Sequence, residues 1–482
     1  MASDLRFCIL LGGCFFGSLG WCQEPWRKAF GALGPDEASS VLLTNDGNII
    51  TAGSTGSFGN GSSDAYILCV SGGGELLWSK TIGGSQVDHA QSIVELDDGS
   101  LVFAGYTNGS GNGGYDGWLV KMDHLANVQW ERHFGGTGWD LIHDLQVAPD
   151  GGFLLAGSTF STGAGSSDGW LVRTDAEGAE LWSTTFGGTG DDELRSAYVT
   201  QDGGVVIAGS QWSEVSGRDV LVAKLDASGG VEWDRTFGTD SLEFAMDVIQ
   251  TMDGGYSIAG TIQYEHAFNE HWHLRLDAEG NSMWSHTLGQ LSAQEATAHV
   301  EMPDGRIYTT GYTTTSGGGG KDMFIYRTTS AGGFDFQFTY GGVEDEIASS
   351  IVVAPDGFII AGKTNTFGAG GWDVVIVRTD TACEPFVQQF GDEFDPLEVV
   401  ENGPIYGVAL FPNPASTAVR IRTSDRLTSA HLLDPQGRLV RSWPAPVPQD
   451  LDLRGLTDGA YQLVTLTEDR KRASQPLIIA GN

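Results

Sequence analysis

Positive charge is scarce in this chain. Its 482 residues hold 26 Lys and Arg against 62 Asp and Glu, a formal net charge of −36. A surface so acidic repels polyanions, which disfavours nucleic acid and anionic membranes as partners, and no nucleic acid partner is expected. Cysteine is scarcer still, with five in all, and Cys8, Cys14 and Cys22 fall within the first 22 residues. The two that remain, Cys69 and Cys383, are too far apart for a metal-binding motif and too few for a disulfide framework. After an apolar run at residues 7–21, no segment is long and apolar enough to span a membrane. Helical periodicity is missing from the repeating middle of the chain. No Ser-His-Asp order, nucleophile elbow or phosphate-binding loop appears, so neither a catalytic residue nor a cofactor is expected from motifs.

What is abundant is glycine, at 70 residues, beside 14 Trp, 23 Phe and many Val. That mixture suits many short strands joined by tight turns. The charge is uneven. From residue 409 onward there are 9 basic and 7 acidic residues, which leaves −38 on residues 1–408. Such a contrast points to two domains. At the N-terminus, Arg6 precedes the apolar run, and Gly20 and Cys22 suit cleavage before Gln23, so residues 1–22 read as a signal peptide. Leu11-Gly12-Gly13-Cys14 offers a second reading, a lipobox.

The middle of the chain is one unit written seven times. Asp-Gly recurs at Asp46, Asp98, Asp150, Asp202, Asp253, Asp304 and Asp356, with spacings of 51 or 52 residues. Gly53, Gly105, Gly157, Gly209, Gly260, Gly311 and Gly362 keep the same period, as do Trp26, Trp78, Trp130, Trp182, Trp233, Trp284 and Phe336. In the third unit, residues 141–148, 153–158, 168–174 and 182–186 read as four strands, with a hairpin turn at Asp150-Gly151. Units of this length and content predict the blades of a β-propeller. The expected fold is all-β, a seven-bladed propeller over residues 23–395, a linker at 396–408 and a small β-sandwich domain at 409–482. Both residues 26–30 and 386–390 fit the fourth-strand pattern, and the former is favoured to complete the last blade. If blades one and seven adjoin, Cys69 and Cys383 come near each other, either as a bridge or as two free thiols.

The unit resembles bacterial seven-bladed propeller repeats of the form Trp-x-x-x-Phe-Gly-Gly, Asp-Gly-Gly, Ala-Gly-x-Thr and Asp-Gly-Trp. Residues 182–188, 150–152, 156–159 and 168–170 carry the likeness. It speaks for fold and implies no single activity. The tail resembles the type A sorting domain of type IX secretion in Bacteroidota-like bacteria. Its marks are Pro412-Asn413-Pro414, the step Gly437-Arg438-Leu439-Val440, and Leu456 with Gly459 and Tyr461. That resemblance implies export through the periplasm to the cell surface or the exterior. It implies two partners, the translocon and a sortase-like peptidase that removes the tail. The chain ends Ile478-Ile479-Ala480-Gly481-Asn482, without the lysine-bearing strand often seen in that family.

Acidic residues that recur around the chain, in six units at the position of Asp140 and in all seven at that of Asp168, answer a need of the fold and are expected to accept hydrogen bonds in turns. Function belongs where the units differ. Three residues past the first acidic position stand Ser39, Gln91, His143, Arg195, Met246, Thr297 and Ser349. Gln91, His143 and Arg195, with Trp139, Asp140, Asp191 and Glu193, suggest a polar pocket at the channel mouth. A second place is the divergent loop of the fifth unit, where His266, His271 and His273 are candidate metal ligands. The leading expectation is a secreted or cell-surface binding module for a glycan or a protein. The alternative is a polysaccharide-active enzyme, a lyase or hydrolase, using His143 and Arg195.

Overall fold

The computed structural model describes residues 25–214, 217–264, 269–288, 293–314, 320–383, 409–411, 417–422, 426–433, 439–456, 459–467 and 472–479. Every regular element among them is a β-strand. The third unit shows the pattern. Asp140–Val147, Phe153–Thr159, Asp168–Thr174 and Glu180–Phe186 pair antiparallel in chain order. The other units repeat this meander, giving seven sheets of four strands. A parallel backbone bridge between Arg218 and Leu242 runs between the fourth and the fifth.

Each sequence marker has a physical cause. At Asp150-Gly151 the glycine has φ 85°, and its N–H donates to the Ala148 carbonyl at 2.9 Å. That conformation strains any residue with a Cβ. The second glycine marker answers a bulge. In every first strand the register slips at one residue, and the seven slipped residues are Ser39, Gln91, His143, Arg195, Met246, Thr297 and Ser349. The bulge pushes a carbonyl toward the facing strand. A Cβ on Gly157 would lie 1.8 Å from the Leu141 carbonyl oxygen, so the facing residue is glycine.

Successive sheets bury their faces against each other. Phe103 and Trp118 of the second sheet share a core with Ile50 and Ile67 of the first. Tyr66 and Leu68 of the first share another with Ile359 and Ile376 of the seventh. First strands are also tied by hydrogen bonds between sheets. Ile93 N donates to Ser40 Oγ at 3.4 Å, Ala197 N to Asp144 at 2.9 Å, Val248 N to Ser196 Oγ at 3.2 Å, and His299 N to Asp247 at 2.8 Å. Val41 N donates to Ser350 Oγ at 3.3 Å, linking the first sheet to the seventh. The seventh sheet takes its fourth strand from the N-terminus, where Trp26–Phe30 pairs antiparallel with Asp373–Asp380. Residues 386–390, the other candidate, lie outside the described residues.

In the tail, Ala409–Phe411, Ala418–Arg422 and Asp450–Asp452 form one sheet. Leu427–Leu433, Leu439–Pro444, Gly459–Thr467 and Arg472–Ile479 form a second. Val419 and Leu451 from the first share a core with Leu432, Leu463 and Leu477 from the second, a small sandwich.

The two cysteines are free and buried in different interfaces. Cys69 packs between the first and second sheets, and Cys383 between the sixth and seventh. Burial pushes each thiol up to about 12.

Two outcomes follow. Deleting residues 23–31 leaves the edge of Asp373–Asp380 unpaired, so the melting temperature falls and light scattering rises on heating. A melting temperature equal to that of the parent would mean another segment covers this edge. Thiol titration of the unreduced mature chain gives two reactive thiols in denaturant and slow reaction without it.

Candidate functional site

The recurring acidic residues are spent on the fold. Asp140 is fully buried, accepts from Gly136 N at 2.8 Å and Ser161 Oγ at 2.7 Å, and also takes the Thr159 hydroxyl. Of the pocket candidates, Asp140 is thus occupied by its own loop. Asp191 is exposed and bridges to Ser167.

The other candidates sit beside residues that vary in the same way. Gln91, His143 and Arg195 are the bulged residues of the second, third and fourth first strands. Gln91 hydrogen-bonds Tyr106, whose hydroxyl is held above its ordinary range by burial and by the Glu37 charge. His143 is kept neutral. Burial lowers its pKa well below the ordinary histidine value, and the charges of Arg195 and His89 lower it further. Arg195 pairs with Glu193 at 2.9 Å, and Glu193 also receives Arg218 at 3.4 Å.

Around these lies a strip of which the sequence singled out only Trp139. Glu37 Oε1 is 3.0 Å from His89 Nε2, and Glu37 Oε2 is 2.7 Å from Lys363 Nζ. The bond from His89, with help from Lys363, holds the Glu37 carboxyl down at about 2 against the opposing effect of burial. The His89 ring stacks on Tyr106, with centroids 5.2 Å apart and planes 6° apart. Tyr106 meets Tyr115 edge-on at 5.3 Å, Tyr115 meets Trp139 at 5.5 Å, and Trp139 meets Phe160 at 6.2 Å. Trp139 and Phe160 are 55% and 47% exposed. The run therefore passes from a half-buried ion pair to open aromatic faces across three sheets. Lys363 extends it to the seventh sheet, with Nζ 5.2 Å from the Trp372 ring. A signal for the missed residues was present. The position two residues ahead of the bulge also varies between units, as Glu37, His89, Leu141, Glu193, Phe244, Glu295 and Ile347.

The histidines of the fifth unit have a different setting. His266 lies outside the described residues. His271 and His273 share a face of Asn269–Leu276, with rings 6.1 Å apart, and both are buried. His271 packs on Phe324 and Tyr326 of the sixth sheet. His273 lies 2.7 Å from Ser257 Oγ and edge-on to Trp284. Neither nitrogen of His271 has a hydrogen-bond partner. Among the described residues no group of three or more His, Cys, Asp or Glu is arranged to hold a metal ion. Burial, then the charge of His299, lowers His271 to about 3, and His273 also falls well below its ordinary value.

Of the tail motif, Pro412, Asn413, Pro414 and Gly437 lie outside the described residues. Gly459 opens a strand, and Tyr461 packs against the tail core. Residues 409–480 match the family described as secretion system C-terminal sorting domain. This type IX sorting domain marks the chain for export through the periplasm to the cell surface or beyond, and implies contact with the secretion machinery. Among the described residues no helix is long and apolar enough to cross a membrane.

A curated relative, Regulatory protein FlaEY of Caulobacter vibrioides, is 24% identical over 336 residues, covering 55% of this chain and 34% of that protein. The chain thus spans about a third of that relative's length. Among solved structures, puromycin hydrolase is similar at 13% identity and a TM-score of 0.47, over 93% of this chain and 60% of that one. Polysaccharide lyase Uly1 is similar at 10% identity and a TM-score of 0.44, over 76% of this chain and 94% of that one.

The buried histidines make stability depend on pH. A histidine whose folded pKa is depressed binds its proton first in the unfolded chain. Its contribution is therefore complete above about pH 6.5 and is lost as pH falls toward the folded value, about 3 for His271. Replacing His271 with Phe should shrink the stability lost between pH 7 and pH 4.5 by on the order of 2 kcal/mol. Carboxylates titrate alike in both proteins and cancel in the comparison. Urea midpoints at the two pH values test this, and equal losses in parent and variant would refute it.

Proposed function

We propose that residues 23–395 form a seven-bladed β-propeller that serves as an extracellular binding module, delivered by its type IX tail and taking a glycan at the mouth of the central channel. The signal peptide at 1–22, the linker at 396–408 and the release of the tail by a sortase-like peptidase belong to the same reading. Seven sheets of four strands, hydrogen bonds from the first strands to their neighbours, and packing of the seventh sheet on the first support the ring.

The observation that carries the binding reading is the strip from Tyr106 through Tyr115 and Trp139 to Phe160, beside Gln91, His143 and Arg195. Aromatic faces cover the apolar faces of sugar rings, and nearby amides, guanidinium and carboxylate groups bind hydroxyls. Trp139 is exposed where a protein core would bury it, and its neighbours hold it in place from two sides. A protein ligand would use the same surface.

The runner-up is a polysaccharide lyase or hydrolase. It draws on His143, kept neutral beside Arg195, since proton abstraction next to a sugar carboxylate needs a free base and a cation that holds the carboxylate.

Glycan-array binding followed by calorimetry on the best hit tests the proposal. Trp139→Ala should weaken binding about 10-fold or more while leaving the melting temperature within about 2 °C of the parent. Retained affinity in that variant, or no glycan bound at all, would refute the site. Release of reducing or unsaturated ends from the bound polysaccharide would instead support the enzyme.

A further inference from the structure

One repeat lacks a cation that the other six possess. At the position of Cys69 the other units carry Lys121, Arg173, Lys224, Arg275, Arg327 and Arg378. Four of these pair with the aspartate of their own Asp-Gly turn. Arg173 meets Asp150 and Arg275 meets Asp253, Lys224 lies 2.9 Å from Asp202, and Arg378 lies 2.6 Å from Asp356. The charge of Lys121 acts on Asp98 in the same way, while Arg327 turns to Asp335 at 2.7 Å. Each cation also stands opposite an aromatic residue of the fourth strand, as Arg173 stands opposite Trp182 and Lys224 opposite Trp233.

The first unit keeps the acceptor and the aromatic wall but not the cation. Asp46 is in place and bonds only to Thr44 and Asn48, and no Lys or Arg among the described residues pairs with it. Trp78 stands opposite Cys69. Between them lies a cavity of about 180 Å³ lined by Asp46, Asn48, Cys69, Trp78, Glu95 and His124, among others. An engineered cavity of about 150 Å³ in another protein holds a benzene molecule, so this one admits a group of side-chain size.

We infer that this cavity is a binding site for an alkylammonium or guanidinium group, which takes the place of the missing side chain. The ligand cation lies against the Trp78 face and between the carboxylates of Asp46 and Glu95, taking the turn aspartate that an internal cation takes in four other repeats. The chemistry is shared by a Lys or Arg side chain of a partner polypeptide and by a free small amine. None of this depends on the channel-mouth reading, since these residues lie at the opposite ends of their strands.

Calorimetry of the full mature chain with n-butylammonium and with propylguanidinium chloride tests the site. Saturable binding with a dissociation constant on the order of a millimolar is expected for at least one of them. Cys69→Lys supplies the cation internally. Lysine is chosen because the second unit holds Lys121 at this position beside Ser100, which carries a Cβ as Asn48 does in the first unit. This variant should lose binding at least 10-fold and melt at a higher temperature, while Cys69→Ser keeps binding. If Cys69→Lys does not fold, Asp46→Asn replaces it and should lose binding alike. No binding of either cation, or binding unchanged in the variant that folds, overturns the inference. Tighter binding of an arginine- or lysine-bearing peptide than of the free cations assigns the site to a polypeptide partner, and the reverse order to a small amine.

Discussion

The buried carboxylate at the head of the first strand is the interaction on which six of the seven repeats depend, the sixth carrying Gln294 there. Asp36, Asp88, Asp140, Asp192, Glu243 and Glu346 are all at most 1% exposed. Burying a charge is costly unless its oxygens are hydrogen-bonded. Here they accept from the loop ahead, through Ala32, Gly84, Gly136, Gly188, Thr239 and Gly342 N–H groups at 2.6–3.1 Å. Thr55, Thr107, Thr159 and Thr364 of the second strand add their hydroxyls. One side chain thus joins the end of the preceding sheet to two strands of its own. It also explains the glycine after the aromatic strand. A Cβ on Gly135, which has φ 131°, would lie 2.3 Å from an Asp140 carboxylate oxygen.

With each loop held this way, the neighbouring positions are free to vary. The bulge places one residue per unit outside the regular register, and a bulge re-aims the side chain it carries. Those residues are small in the first and seventh sheets, as Ser39 and Ser349, and large in the second to fourth, as Gln91, His143 and Arg195. Glu37 lies between His89 and Lys363, and Glu193 between Arg195 and Arg218, so each of these carboxylates faces two basic groups. His271 and His273 show the other solution, in which the imidazole gives up its proton and packs as an aromatic.

Much of the fold was legible because its causes are local. A turn with positive φ needs Asp-Gly, strands alternate, and a unit that recurs at 51 or 52 residues must meet the same needs each time. The recurring aspartates were recognisable as structural for the same reason. The candidate site was legible only in part. Gln91, His143 and Arg195 showed themselves by differing between units. Glu37, His89 and Lys363 differed too, but their meaning lies in partners 52 and 326 residues away along the chain. The aromatic run was represented by Trp139 alone, because nothing in the spacing of Tyr106, Tyr115 and Phe160 predicts edge-on contact between sheets.

By itself the sequence determined the strand order within each unit, the number of units and the sorting tail, since each rests on contacts between residues close in the chain. It also marked Cys69 as the odd residue in a row of cations. Only the tertiary structure decided that the N-terminal strand completes the seventh sheet, and that the two cysteines lie in separate interfaces. It alone decided that the missing cation leaves a cavity rather than a collapsed gap. The physical reason is the same in each case. Backbone pairing and turns follow from neighbouring residues, whereas the approach of one sheet to another is set by how whole faces pack.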